Sequence, residues 1–426
     1  MNSTPFSPFS VLVVGGGGRE HALARAISAD PQVSEVHVAP GNPGTASFAT
    51  NHPVDQLDGE AVAALAVELG VGLVVVGPEA PLVAGVADAV RAAGIPAFGP
   101  SAEAARLEGS KSFAKDVMAS AGVPTAAARV CSSADEVAAA LDEFGAPYVV
   151  KADGLAAGKG VIVTDDRAAA LAHAAECDLV VIEEYLDGPE VSLFVITDGT
   201  TCLGMQPAQD FKRVGEGDTG PNTGGMGAYS PLPWAPADII DQVLETVARP
   251  TLDELHLRGI DFSGLLYCGL ALTSKGLRVV EFNARFGDPE TQALMGLIDA
   301  PVGQLLLAAA TGTLAEFGEV SWRDGAAVVV VMAANGYPGT PARGGAITLP
   351  ADRDDAWVIH AGTALAAGPD HDQLVAAGGR VLTVVGRGAD LAAARDQAYA
   401  LVDEIDFPTG FVRRDIAARV LAGDPA

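Results

Sequence analysis

Within the first hundred residues, short apolar runs alternate with helix-length segments, and this rhythm leaves few folds open. Residues 11–14 (VLVV), 36–39, 73–76 (LVVV) and 95–98 have the length and β-branched content of buried strands. The segments 19–29, 60–69 and 81–93 are long enough for helices. Strands separated by such helices build a parallel sheet covered on both faces. Loops rich in glycine and proline follow the strands: GGGG after the first, PGNPGT after the second, GPEAP after the third. In an open parallel sheet a ligand sits at those carboxyl ends. Residues 1–108 are therefore predicted to form a doubly wound α/β domain.

The rhythm changes at Ser101. One helix is predicted to run to about residue 120, where Gly122 and Pro124 break the chain. Strands at 148–151 and 161–163 flank ADGLAAGKG as a hairpin, and strands at 180–184 and 191–197 follow. Residues 215–227 carry too much glycine for regular structure. A helix over 236–256 is predicted to kink at Pro250. Segments 265–272 and 277–282 form a second hairpin through Ser274-Lys275-Gly276. Strands near 327–332, 358–361 and 381–385, then a helix at 391–405, read as a separate α+β module over 326–426. The fold class is thus α/β and α+β, in several domains.

Charge narrows the partners. Fifty-four acidic residues against 26 basic ones give a net charge of −28, which repels nucleic acid and anionic membranes. A small anionic substrate in a locally basic pocket stays compatible. Residues 1–10 have no basic residue to start a signal peptide, and no apolar stretch reaches membrane-helix length. Cys131, Cys177, Cys202 and Cys268 are scattered, as reduced thiols of a cytoplasmic protein are. Of six lysines, five lie between residues 111 and 212. Lys151 and Lys159 stand in apolar and glycine-rich surroundings, so the cluster is read as functional.

The opening strand, glycine loop and helix start suit a phosphorylated small molecule at a helix N-terminus. A dinucleotide fingerprint fails: Gly15-x-Gly17 reaches Glu20, Gly16-x-Gly18 reaches His21, and the second strand ends in Ala39-Pro40. A P-loop fails as well, because GLAAGKG is one residue short and lacks the following Ser or Thr. Lys151 before a flexible hairpin instead suggests a flap over a triphosphate. In EFNARF, Glu281, Asn283 and Arg285 share one strand face, about 6.6 Å per two residues. A carboxylate and an amide oxygen at that spacing can converge on an oxygen-loving cation, with Arg285 facing the same phosphates. VIEEYLDGPE supplies a strand end and connector that can read adenine, followed by an acid for ribose. No Ser–His–Asp or Cys–His order stands out among seven histidines.

Together these stretches resemble the phosphoribosylamine–glycine ligase (glycinamide ribonucleotide synthetase) family of ATP-grasp enzymes. The likeness rests on GGREHALA, APGNPGT, VVGPEAPLVAGV, FGPSAEAARLEGSKSFAK, VKADGLAAGKGV, VIEEYLDGPEVS, QDFKRVGEGDTGPNTGGMGAYSP, EFNARFGDPETQ, HAGT and GGRVL. It implies an ATP-grasp domain over 109–325, with a small mobile subdomain at about 125–196, and a C-terminal domain over 326–426. It implies that Lys111, Lys151 and Lys212 serve ATP, with the hinge Glu183, Glu184, Tyr185 and Leu186 on adenine and Glu190 on ribose. Glu281 and Asn283 are implied ligands of Mg²⁺ or Mn²⁺, and Arg285 the stabiliser of an acyl phosphate. Gly17, Gly18, Glu20, Glu79, Asp218, Asn222, Gly225, Met226, Asp288 and Arg380 are implied substrate contacts. The implied enzyme is a cytoplasmic monomer that takes ATP, glycine and 5-phosphoribosylamine, with neither nucleic acid nor membrane as partner.

Two departures from the family pattern stand out. Gly16 replaces the asparagine of NGGRE, and only residues 164–178 separate the hairpin from LVVIEE, where the family carries a longer insertion. A trimmed lid is expected to leak. Two other readings stay open: an ATP-grasp ligase for another acid or amine, and a dinucleotide-dependent oxidoreductase. A non-catalytic nucleotide sensor is disfavoured by the metal ligands and Arg285.

Overall fold

The computed structural model of the chain describes residues 8–155, 160–368 and 371–424. Five parallel strands open it: β1 (Phe9–Gly15), β2 (Val33–Pro40), β3 (Thr50–Asn51), β4 (Leu73–Val76) and β5 (Ala97–Phe98). Their order is β3-β2-β1-β4-β5. Alternate residues of β1 enter different cores, which is why the run is apolar throughout. Val11 and Val13 pack with Leu23 and Ile27, whereas Leu12 and Val14 pack with Val62, Val86 and Val90. The order reverses around β1, whose two neighbours are β2 and β4. There the GGGG loop and Gly77-Pro78-Glu79 leave the strand ends side by side.

Two predicted helices are broken. Gly85, at φ +85°, ends Glu79–Val83 and starts Val86–Ala92. Ser110 leaves the helical region and accepts the Phe113 N–H through its Oγ, so Lys111–Ala121 begins as a new helix after the short turn Arg106–Gly109.

Strands β6 (Ala128–Cys131), β7 (Tyr148–Ala152), β8 (Val161–Thr164) and β9 (Val180–Glu183) form the antiparallel sheet β6-β9-β7-β8. Helices Ala134–Phe144 and Arg167–Ala174 back it through Val137, Leu141 and Ala170. The β7–β8 hairpin is present as predicted. Residues 156–159 of its glycine-rich loop lie outside the described residues. Next come β10 (Glu190–Thr197), β11 (Cys202–Gly204), β12 (Gln209–Asp210), β13 (Arg213–Gly215), β14 (Thr219–Asn222), β15 (Gly227–Ser230), β16 (Gly264–Thr273) and β17 (Gly276–Asn283). A second antiparallel sheet has the order β11-β10-β16-β17. The predicted irregular stretch 215–227 holds the hairpin β13–β14 instead. Its glycines make the tip, where Gly217, Asp218 and Gly220 all take positive φ. Pro250 sits in the first turn of helix Arg249–Leu257, where its missing N–H costs nothing, and the irregularity precedes it as one π-helical turn, Leu244–Ala248.

The C-terminal strands are β18 (Ala326–Ala334), β19 (Ala356–His360), β20 (Thr363–Leu365), β21 (Leu374–Ala376), β22 (Arg380–Gly388) and β23 (Gly410–Phe411). They build the core of the C-terminal domain, and its sheet also draws on the central segment. The sheet order is β12-β15-β18-β22-β19, so the central segment contributes two of its strands. Strand β18 is buried along its whole length and therefore needs a strand on each side; β15 supplies one. Among the described residues no helix is long and apolar enough to cross a membrane.

Candidate active site

A cleft of about 770 Å³ lies where the two antiparallel sheets, the N-terminal strand ends and the C-terminal sheet meet. Its wall brings together Lys111, Lys151, Glu183, Glu184, Tyr185, Leu186, Glu190 and Lys212 from the expected nucleotide contacts. It also takes in Glu281, Asn283, Arg285, Glu79, Asn222, Asp288 and Arg380.

Three lysines stand on one side. Lys111, in the first turn of its helix, donates to the Gly154 carbonyl (2.9 Å), and burial pushes its pKa down. Lys151 on β7 donates to the Val280 carbonyl (3.1 Å) and pairs with Glu183 (2.8 Å). Lys115 pairs with the other Glu183 oxygen (3.1 Å). Glu183 thus anchors two cations, and its backbone is used by β6 and β7, so it does not act as a free hinge. The open hinge begins one residue on. Glu184 is tied to Ala127, whereas among the described residues neither Tyr185 nor Leu186 has its N–H or C=O engaged by another backbone group. Leu155 and Val163, both exposed apolar side chains, line the same end of the cleft.

Opposite, β17 carries Glu281 and Asn283, and Arg285 follows in the bend just past the strand's end. Arg285 donates to the Asn283 amide oxygen (3.2 Å), to Glu108 (2.7 Å) and to Glu79 (3.2 Å). Burial works against its charge, but Glu108 and Glu79 outweigh that and hold its pKa above the ordinary arginine range. Burial raises Glu108, while Arg285 and Arg19 hold Glu79 low against its own burial. Glu281 has no hydrogen bond or ion pair among the described residues, and Lys111 and Lys212 lie within its electrostatic reach. Its neighbour across the sheet is Gly269, which offers no third side chain. The free carboxylate and the amide oxygen two residues on are hard oxygen donors that fit Mg²⁺ or Mn²⁺. Among the described residues no group of three or more His, Cys, Asp or Glu could hold a metal ion, so a cation here depends on Asn283.

Further along, Lys212 pairs with Glu190 and lies 3.7 Å from Asp210. Lys212 lowers the Glu190 pKa, whereas burial raises Asp210 to about 7. Glu290 accepts from Tyr267 (3.0 Å) and Ser192 (3.2 Å). Arg380 donates to the carbonyls of Gly224 and Asp288, and its guanidinium lies 3.3 Å from the Asp288 carboxylate.

Six predicted contacts are placed otherwise. The glycine loop is already filled by its own acid: Glu20 accepts the Gly17 N–H (2.7 Å), and a Cβ at Gly15 or Gly77 would strike its side chain. Gly17, Gly18 and Glu20 do not line the cleft, whereas Arg19 beside them does. Gly225, at φ +111°, lets the chain pass Pro289, where a Cβ would come within 2.6 Å. Met226 is fully buried in the core. Asp218 turns away to Arg413 (2.8 Å) and Arg419 (3.3 Å). Conversely, Arg19, Glu108, Asp210, Glu290 and Tyr337 line the cleft with no role assigned to them from sequence, and Lys115 of the lysine cluster joins them.

Three successive segments match the phosphoribosylglycinamide synthetase family: its N domain at residues 9–108, its ATP-grasp (A) domain at 109–291 and its C domain at 327–419. A phosphoribosylamine–glycine ligase of Streptomyces coelicolor is 62% identical over 414 residues, covering 96% of this chain and 99% of that protein. One of Mycobacterium tuberculosis is 57% identical over 422 residues, covering 97% and 99%. The crystal structure of the Thermotoga maritima phosphoribosylamine–glycine ligase superposes with a TM-score of 0.83 at 35% identity, covering 96% of this chain and 100% of that one. The biotin carboxylase domain of Hydrogenobacter thermophilus 2-oxoglutarate carboxylase shares the fold alone, at 15% identity and a TM-score of 0.72 over 96% and 92% of the chains. With all three domains matched in order and relatives aligned along nearly their full length, this chain belongs to the phosphoribosylglycinamide synthetase family.

Proposed function

We propose that this chain ligates glycine to 5-phosphoribosylamine, forming glycinamide ribonucleotide while ATP becomes ADP and phosphate, as a cytoplasmic step of purine biosynthesis. One observation carries the reading: Lys111, Lys151 and Lys212, the oxygen donors Glu281 and Asn283, and the paired Arg285 face a single cleft that opens onto the N-terminal strand ends. Lys111 and Lys151 hold the phosphates, Tyr185 and Leu186 meet the adenine edge against Leu155 and Val163, and Glu190 with Lys212 takes the ribose side. Glu281 and Asn283 hold Mg²⁺ or Mn²⁺, which when bound compensates phosphate charge.

Glycine's carboxylate attacks the γ-phosphorus, and ADP leaves. Asp210 and Glu290 supply acceptors for its ammonium group. Arg285 faces the charge that spreads over the transferring oxygens. The amine of phosphoribosylamine, held near Glu79, Asn222 and Arg380, attacks the glycyl phosphate carbonyl; the C–O bond breaks and phosphate departs with the amide formed. The test is phosphate release with ATP, glycine and phosphoribosylamine omitted in turn. Full turnover requires all three. Equal efficiency with another amino acid overturns the glycine assignment in favour of a different carboxylate–amine ligase.

A further inference from the structure

The hairpin β13–β14 is held at its tip by the far end of the chain. Arg413 is 1% exposed yet carries a permanent charge. Its Nε and Nη2 grip both oxygens of Asp415 (2.8 and 2.7 Å), and its Nη1 donates to the Arg213 carbonyl (2.9 Å) and to Asp218 (2.8 Å). The guanidinium also lies 5.2 Å from the centre of the Phe211 ring. Around it, Asp415 accepts the Gly217 N–H and Glu216 accepts the Arg414 N–H, so the tip is pinned at successive residues. The base of the same hairpin faces the cleft. Lys212 pairs there with Glu190, and Thr223 donates from both N–H and Oγ1 to the Lys212 carbonyl, closing the loop.

We propose that Arg413 is a positioning residue: by fixing the hairpin tip it sets where Lys212 and Asn222 stand in the cleft. A bidentate, fully buried guanidinium bridging two chain segments loses more than one hydrogen bond when either partner goes. The inference rests on the cleft being the nucleotide site, and its test is built to separate the two. Asp218→Asn removes the carboxylate charge that Arg413 and Arg419 share and leaves only a neutral amide oxygen to accept from Arg413; asparagine tolerates the left-handed backbone there, so the fold is expected to hold. Arg413→Met is the stronger variant and Arg413→Lys the conservative one.

In the full-length protein, the measurements are amide exchange over residues 213–222, the Kd for Mg-ATP, and kcat and KM for each substrate. Asp218→Asn is expected to speed exchange at the tip and weaken Mg-ATP binding about fivefold while the melting temperature holds. Arg413→Met goes further, and Arg413→Lys falls between. Faster exchange with Kd and KM unchanged would show a purely structural clamp and overturn the proposal, as would unchanged exchange in Asp218→Asn. Wild-type protein that binds ATP without ligating would remove the ligase reading, yet the exchange and Kd comparison would still decide for or against Arg413.

Discussion

Replacing Arg285 by alanine perturbs chemistry and stability together, and the geometry allows the two to be separated. A cation facing phosphoryl charge in the transition state is worth roughly 10³-fold or more, which is about 4 kcal/mol at ~1.36 kcal/mol per decade. Removing it also strands the buried Glu108, whereas the part-exposed Glu79 keeps Arg19 at 3.8 Å, and breaking a buried ion pair costs roughly 3–5 kcal/mol. Protonation relieves part of that cost, because burial already raises the Glu108 pKa with Arg285 in place. The native variant then binds a proton that the unfolded chain has lost above its ordinary carboxylate pKa of about 4.3. Its stability falls as pH rises, so the gap to wild type is widest in alkali and narrows in acid. Glu108→Gln removes the stranded charge while leaving an acceptor for the Ala284 N–H. The double variant Glu108→Gln/Arg285→Ala should regain stability without regaining turnover. Urea midpoints at two pH values give the first quantity, and phosphate release per folded molecule gives the second. We expect kcat to drop about 10³-fold in both Arg285 variants with KM for ATP little changed. A kcat within threefold of wild type, or activity restored together with stability in the double variant, would refute the role.

Arg380→Ala should raise the phosphoribosylamine KM and leave that for ATP alone, since the guanidinium bears on Gly224 and Asp288 at the far end of the cleft from Tyr185; equal losses would contradict it. Burial lowers His21 from 6.5 to about 3, so between those values the unfolded chain binds more protons and stability falls with acidification. At pH 5 this amounts to about 2 kcal/mol from ~1.5 pH steps, and His21→Gln should flatten the slope of the unfolding midpoint between pH 7 and 5; an unchanged slope would count against it. Residues 164–178 supply one short helix, Arg167–Ala174, so glycine-dependent phosphate release without phosphoribosylamine should exceed that of a relative whose sequence is longer between these strands. Tight coupling in both enzymes would show the extra segment dispensable.

What could be read from the residues alone follows the range of the forces involved. Period-two placement of Glu281 and Asn283 is a local consequence of the strand, whereas Arg285 lies past its end and is brought to Asn283 by the bend that follows. The parallel sheet was equally legible, because β1 and β4 must be apolar on both faces. Helix breaks at Gly85 and Ser110 were missed, since each turns on a single residue's dihedral choice inside an otherwise helical pattern. Glu108, Asp210 and Glu290 lay inside motifs already recognised, RLEGSK, QDFKR and GDPETQ, but which acid faces the cleft is set by packing between distant segments.

Two misplacements teach more. A glycine loop before a helix suggested a phosphate, yet the anion there is Glu20, three residues past Gly17. That spacing is the acidic half of a capping box and was readable locally. The Gly17 N–H is thus satisfied within the chain, and Gly15 and Gly77 give that carboxylate the room it needs. Asp218 gave no such local warning. Its glycine-rich setting looked like a substrate loop, but its partner Arg413 lies 195 residues away. A charged residue in a flexible-looking loop can be claimed by any surplus cation the fold delivers. This chain has 20 arginines among its 26 basic residues, and two near its C-terminus, Arg413 and Arg419, are delivered to this hairpin. The distinction that sequence could not make, between an acid free for a ligand and an acid already paired, is one of long-range electrostatics, and here it pairs Asp218 with Arg413 and Arg419 at the hairpin tip.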